Sequence, residues 1–232
     1  MPNDATVPSP DHARYLRDDD AFDALYPREI RRISRRFWTP LETARRAAAL
    51  LRDAGARQVL DVGSGVGKFA LVAGATAPQL HVTGIEQREH LVAVANVARQ
   101  ALRLTNVRFI HGNATDRSWA GFDGFYFFNS FAENLFEPSD RLDNCADLSM
   151  ATFARDVKRS FTALTKAPVG TAVATFYGSS GRVPCTYELS HQEAAGAGWL
   201  RLWQKQDVAD DGSFFVEDGD RLVQHDAAGK PY

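Results

Sequence analysis

The sequence predicts a doubly wound α/β protein whose mostly parallel, seven-stranded sheet ends in an antiparallel C-terminal hairpin. Three observations predict it. Between residues 28 and 177, short β-branched or aromatic runs alternate with segments whose apolar residues recur every three or four positions, the pattern of strand–helix–strand crossovers. The first such run opens directly into a glycine-rich turn. The last two runs, 187–190 and 200–205, are joined by a stretch too short for a crossover helix, which makes them neighbours in a hairpin.

The elements follow in order. Ile30, Ile33 and Phe37 recur at helical spacing in an arginine-rich arm. Thr39-Pro40-Leu41-Glu42 reads as an N-cap threonine, a proline at the first helical position and a glutamate three after the cap. Leu41, Ala44, Ala48 and Leu51 then form one apolar face, and Gly55 stops the helix. Strands are expected at Gln58–Val62, 81–85, Val107–His111, 124–129 and 172–177. Helices are expected at 68–75, at a segment with Leu91, Val94, Ala98 and Leu102 on one side, and at a long one marked by Met150, Phe153, Val157, Phe161 and Leu164. Phe214-Phe215-Val216 and Arg221-Leu222-Val223 flank a glycine-containing turn and read as a further short hairpin. The implied organisation is an acidic, flexible N-terminus (1–27, net −4), one domain with an N-terminal helical arm (28–206), and an acidic, peripheral tail (207–232, net −5).

Composition narrows the class. Hydrophobic residues at 44% and charged ones at 24% suit a globular chain of 232 residues that buries its own core without disulfides or metals. A net charge of −2 argues against a surface built as a whole to grip nucleic acid. Two cysteines forty residues apart make a disulfide framework or a CxxC site an unsuitable reading and point to a reducing cytoplasm. No run approaches about 18 apolar residues, so no membrane span is expected. Residues 1–23 lack the basic-then-apolar layout of a secretory signal.

In a doubly wound sheet, ligands sit beyond the carboxyl ends of the strands. The turn after the first strand reads Asp61-Val62-Gly63-Ser64-Gly65-Val66-Gly67-Lys68-Phe69. A nucleoside-triphosphate loop fails at two positions, Val62 and Phe69. The dinucleotide fingerprint fails at Lys68, which counts against a nicotinamide-dependent dehydrogenase. The pattern D-x-G-x-G-x-G is met throughout. It resembles motif I of the Rossmann-like class I S-adenosylmethionine-dependent methyltransferases, a resemblance that runs through roughly residues 38–205.

That resemblance implies S-adenosylmethionine as cofactor and assigns residues to it. Asp61 would order the methionine ammonium and favour a sulfonium over a neutral product. Gly63, Ser64, Gly65 and Gly67 would form the cradle. Glu86, nineteen residues after Gly67, would accept from both ribose hydroxyls, with Gln87 beside it. Asn113 and Ala114, where the family has Gly-Asp-Ala, would meet the adenine. Trp38 and Thr39 would close over the cofactor, although Trp38 reads equally well as ordinary core. Asn129-Ser130-Phe131 resembles the acceptor loops of amino-directed nucleic-acid and non-SET histone-lysine methyltransferases, without the proline of the former. Asn129 would touch the cofactor and orient an amine, and Phe131 would pack against the acceptor. The methyl acceptor itself stays open among protein lysine, nucleic-acid amine and small metabolite. A domain that binds the cofactor without turnover is the competing reading.

Seven arginines in segment 28–46 (Arg28, Arg31, Arg32, Arg35, Arg36, Arg45 and Arg46) face two glutamates. They read either as a solvated helix face or as a docking surface for an acidic partner. No histidine shares a metal-ligand spacing with another histidine or cysteine, so no metal is expected. His111 is a weak candidate for a site contact. Gly178-Ser179-Ser180-Gly181 reads as a lid or a plain connector at the mouth of the cleft.

Overall fold

A computed structural model describes residues 10–178 and 182–232. Residues 1–9 of the acidic N-terminus and 179–181 of the expected lid lie outside the described residues. Four short or medium helices come first: α1 (Pro10–Ala13), α2 (Asp19–Asp23), α3 (Arg28–Phe37) and α4 (Leu41–Asp53). The alternating region follows with β1 (Gln58–Val62), α5 (Lys68–Thr76), β2 (His81–Glu86), α6 (Glu89–Ala101), β3 (Val107–His111), β4 (Gly124–Phe128), α7 (Met150–Lys166) and β5 (Ala172–Phe176). The remaining strands are β6 (Arg182–Pro184), β7 (Tyr187–Ala195), β8 (Gly198–Lys205), β9 (Phe214–Asp218) and β10 (Arg221–His225).

The main sheet has seven strands in the order β3-β2-β1-β4-β5-β8-β7. The first five pair in parallel, and β5–β8 and β8–β7 are antiparallel. This is the doubly wound sheet with a terminal hairpin that the alternation predicts. The order reverses between β1 and β4, so their carboxyl ends splay and open a crevice there. Both faces are buried, as a parallel sheet requires. Val59, Tyr126, Ala174 and Phe176 face the larger core with α4 and α5. Leu60, Val62, Phe125, Phe127 and Val173 face a smaller one with Leu164 of α7, Trp119 and Trp203. Tyr126 stacks on Phe69 at 3.7 Å between centroids, and its hydroxyl pairs with Thr39 Oγ1 at 2.9 Å. Replacing Tyr126 by Phe strands the buried Thr39 hydroxyl, so urea unfolding should show a loss of about 1–2 kcal/mol.

Three expectations are corrected. From His12 onward the acidic N-terminus is not a detached flexible arm: Leu16, Phe22 and Tyr26 join the main core, and His12 Nε2 lies 2.7 Å from the Leu102 carbonyl. The capping box at Thr39 does not form. Asp19, from α2, accepts from Leu41 N–H at 2.8 Å and so caps α4 from outside, while the Thr39 side chain is taken by Tyr126. The acidic tail forms the expected hairpin, β9–β10, but it is not peripheral. It pairs with β6 as a second, three-stranded sheet, and Arg201 bonds Glu217 at 2.7 Å in a pair almost wholly removed from solvent.

Candidate active site

A cleft opens at the carboxyl ends of β1, β2, β3 and β4. The predicted residues Trp38, Gly63, Gly65, Glu86, Gln87, Asn113, Ala114, Asn129 and Phe131 all line it. Asp61, Ser64, Gly67 and Thr39 stand behind that lining.

The glycine turn explains itself by conformation. Gly63, Gly65 and Gly67 all have positive φ, +73°, +55° and +77°. A Cβ on Gly65 would fall 2.4 Å from Trp38 Cζ3, and one on Gly67 would fall 2.3 Å from Phe109 Cζ. Gly67 therefore serves packing and the start of α5 rather than the cleft, whereas Gly65 lets the Trp38 ring close down on the turn. Trp38 thus belongs to the cleft wall and to the core at once, 8% exposed.

Around this turn sit buried polar atoms without partners among the described residues: Asp61 Oδ2, Ser64 Oγ and Trp38 Nε1. Tyr26 Oη, which feels the Asp61 charge, is a fourth. Such atoms are costly and uncommon inside folded proteins. Burial, followed by the nearby Glu86 charge, pushes the Asp61 carboxyl up to about 8, with a backbone hydrogen bond at Ala70 working the other way.

Glu86 is buried at the end of β2. Its Oε2 accepts from Gly65 N–H at 3.0 Å and its Oε1 from Arg88 N–H at 2.9 Å. Each oxygen keeps a lone pair for one more donor. Burial raises its carboxyl, against the pull of those two amides and of the Arg88 guanidinium. Sequence reasoning missed Arg88. It is 4% exposed, lines the cleft, and joins Glu133 at 2.8 Å, Asp143 at 2.8 Å and Glu86 at 3.8 Å. Burial lifts Asp143, but hydrogen bonding to Arg88 outweighs it and holds the carboxyl below its ordinary value. A basic residue two positions past the strand-end acid was the available signal.

Asn113 is placed differently from its assigned use. Its amide oxygen already accepts from Thr115 N–H at 2.8 Å and Thr115 Oγ1 at 3.0 Å, and its Nδ2 donates to Asp156 at 3.0 Å. The carboxylate that the strand-three position lacks is supplied by Asp156, on α7, 2% exposed and part of the cleft wall. The expected apolar marker Met150 instead lies exposed, and α7 turns Thr152, Asp156, Ser160 and Leu164 inward at four-residue spacing.

The acceptor loop is shaped by two non-glycine residues in the left-handed region, Asn129 (φ 44°) and Phe131 (φ 72°). Such conformations persist only where surroundings hold them. Here Ser130 Oγ donates to the Val62 carbonyl at 2.7 Å, Asn129 N–H donates to Phe176 O at 3.1 Å, and Asn134 Nδ2 donates to Phe131 O at 2.8 Å. The loop is thus pinned across the crevice from the glycine turn.

Of the seven arginines, Arg36 is tied to Asp140, Arg45 to Glu42 and the Leu16 carbonyl, and Arg46 to Glu193. Arg28, Arg31, Arg32 and Arg35 form an exposed face of α3. His111 sits at a strand end with Nε2 3.0 Å from Gln87 O. The fold also gathers what spacing could not show: His90, Asp143 and Cys145 lie with ligand atoms within 4.8 Å of one another. Among the described residues no helix is long and apolar enough to cross a membrane.

Comparison with known proteins agrees with this layout. Residues 54–148 match a family described as Methyltransferase domain. A tRNA (guanine-N(7)-)-methyltransferase of Microcystis aeruginosa is 43% identical over 54 residues, which span 23% of this chain and 26% of that protein. An RNA methyltransferase from Salinibacter ruber, solved with S-adenosyl-L-homocysteine, has a TM-score of 0.51 at 18% identity, covering 79% of this chain and 99% of the other. A candidate O-methyltransferase from Klebsiella pneumoniae has a TM-score of 0.52 at 14% identity, covering 87% and 92%.

Proposed function

Because residues 54–148 of this chain are a methyltransferase domain of the class I, S-adenosylmethionine-dependent kind, we propose that the protein transfers a methyl group to an amine nitrogen held at Asn129. The observation that carries the reading is the set of unpartnered buried atoms at the glycine turn. An acceptor (Asp61 Oδ2) and two donors (Ser64 Oγ and Trp38 Nε1) match the ammonium and carboxylate of an amino-acid end. Glu86 accepts from the ribose hydroxyls with its remaining lone pairs. Gln87, Asn113 and Ala114 wall the base, and Asp156 offers its amino group a charged acceptor. Thr39 acts from behind, through Tyr126.

When bound, the cofactor supplies a methyl on a sulfonium with a neutral leaving group. Asn129, fixed in its left-handed turn, accepts from the amine and aims its lone pair along the line of displacement. Phe131 covers the acceptor and keeps water out. Alignment of this kind is worth up to about 7–11 kcal/mol in favourable cases, so an amine arriving uncharged needs no strong base. The Microcystis relative is named for a guanine nitrogen, which favours nitrogen as acceptor atom. The exposed α3 arginines, next to the Arg36-Phe37-Trp38 wall, suit an acidic acceptor.

Two measurements test this. Calorimetry should show S-adenosylhomocysteine binding and no NADH binding. Labelled methyl groups should pass from cofactor to components of a cell extract; binding without labelling would leave only a cofactor-dependent scaffold. With the acceptor in hand, Asn129→Ala should lower kcat by about 100-fold, the usual size for a misaligned reactant. Full turnover of that variant would remove Asn129 from the mechanism.

A further inference from the structure

A second concavity lies outside the cleft. It is a groove of about 740 Å³ between α7 and the 115–122 loop. It exists because the connection from β3 to β4 carries only a single short 3-10 turn, Ala114–Asp116, where a full helix would cover the sheet beside α7. The floor is apolar: Trp119 and Ala163, with half-buried Phe122. The rim is basic. Arg155, Lys158, Arg159 and Lys166 recur at helical spacing along one exposed face of α7, and Arg117 stands opposite them. No acidic side chain lines the groove. Arg155 and Arg159 are partly neutralised by Asp156 and Asp116, but Lys158 and Lys166 have no ion-pair partner among the described residues. From Arg155 to Lys166 the helix rises about 16 Å, a few nucleotides of extended strand. The groove starts at the cleft: Asn113 and Asp156 belong to the cleft wall, and their neighbours Thr115 and Arg155 line the groove.

From this placement we infer that the α7 groove binds single-stranded nucleic acid, phosphates on the lysine–arginine rim and a base against the apolar floor. A cationic rim over an aromatic floor is the arrangement that holds such strands without sequence readout. A duplex keeps its bases stacked inside and would meet the rim alone. On a chain of net charge −2, this local excess of cations is a feature of the site and not of the whole surface. The inference concerns binding and stands apart from the transfer reaction.

The test is fluorescence anisotropy with a fluorescein-labelled single-stranded RNA of about 12 nucleotides, within the span such sites cover. The full chain should bind it, with affinity falling steeply as potassium chloride rises. Lys158→Glu/Lys166→Glu should weaken binding by at least about tenfold and flatten the log–log salt slope by about two, one for each lost phosphate contact. The same variant should keep its thermal transition and its S-adenosylhomocysteine binding, which separates this outcome from misfolding and from failure of the cofactor reading. Phe122→Leu should weaken binding while leaving the salt slope unchanged. The inference is overturned by no binding at low salt, or by wild-type affinity in the double lysine variant. It is equally overturned if Arg31→Glu/Arg32→Glu abolishes binding in place of the lysine pair, which would put the strand on α3. Displacement of the RNA by poly-glutamate at equal charge concentration would make the groove an acidic-peptide site and overturn it too.

Discussion

Lys68→Met should cost about 3–5 kcal/mol and lower Tm by about 10 °C, the largest stability loss expected of any single change outside the sheet core. Lys68 is 2% exposed at the first turn of α5. Its ammonium lies 2.6 Å from Asp19 Oδ1, 2.7 Å from Asp23 Oδ1 and 3.4 Å from Ser34 Oγ. Removing the cation leaves Asp23 buried with no opposite charge, and that stranded carboxylate accounts for most of the cost. Asp19 also caps α4, so the loss reaches a second helix. Asp23→Asn added to Lys68→Met should recover part of the loss, because an amide is cheaper to bury than a charge. Urea unfolding of the three proteins measures this directly. A single variant within about 1 kcal/mol of wild type would show that the ammonium is solvated in solution.

The second large effect is expected at Asp61. With the carboxyl at about 8, most molecules hold that proton at pH 7. An acid whose folded value stands above its unfolded one favours folding at low pH. The unfolded chain ionises Asp61 near pH 4 and the native state does not. Stability from this group therefore declines as pH rises from about 4 to about 8, by at most about 5 kcal/mol in all. Asp61→Asn should flatten that slope. Ligand binding runs the other way. An ammonium placed against Asp61 draws the proton off, so S-adenosylhomocysteine affinity should climb from pH 6 towards pH 8. It should turn down beyond that, as the ligand's own α-amino group, ordinarily near 7.7–8.0, loses its charge. Calorimetry in buffers of different ionisation enthalpy should register proton release on the rising limb. The Asn variant should lose that limb and bind at least about 100-fold more weakly at pH 8, roughly the value of a buried charge-assisted contact. Affinity that stays flat from pH 6 to 9 would place the ammonium elsewhere.

Local signals carried the sheet. β1 and β3 fall on their expected bounds, and β2, β4 and β5 end within one residue of them, because alternation and glycine punctuation are properties of neighbouring residues. The glycine turn and Glu86 were legible for the same reason. What escaped was set by contacts distant in sequence. Thr39 has the chemistry of a cap, yet Asp19 reaches Leu41 N–H from twenty-two residues upstream and Tyr126 claims the threonine. Asp19 and Asp23 look like two members of an acidic run until a lysine forty-five residues away from the latter shows what they neutralise. Asp156 was hidden by reading α7 through Phe153 and Val157, although the polar row at 152, 156 and 160 has the regularity of a buried face. The strand that turns the tail hairpin into a sheet, β6, is three residues long and carries too short a pattern to register.

Phe22 and Tyr26 packing into the main core has a practical side. Composition invites an experimenter to trim the acidic leader and begin the gene at Arg28. A protein shortened there would expose the apolar seat of both rings and leave an ammonium inside with nothing to answer it, so its insolubility would say nothing about the domain's own ability to fold.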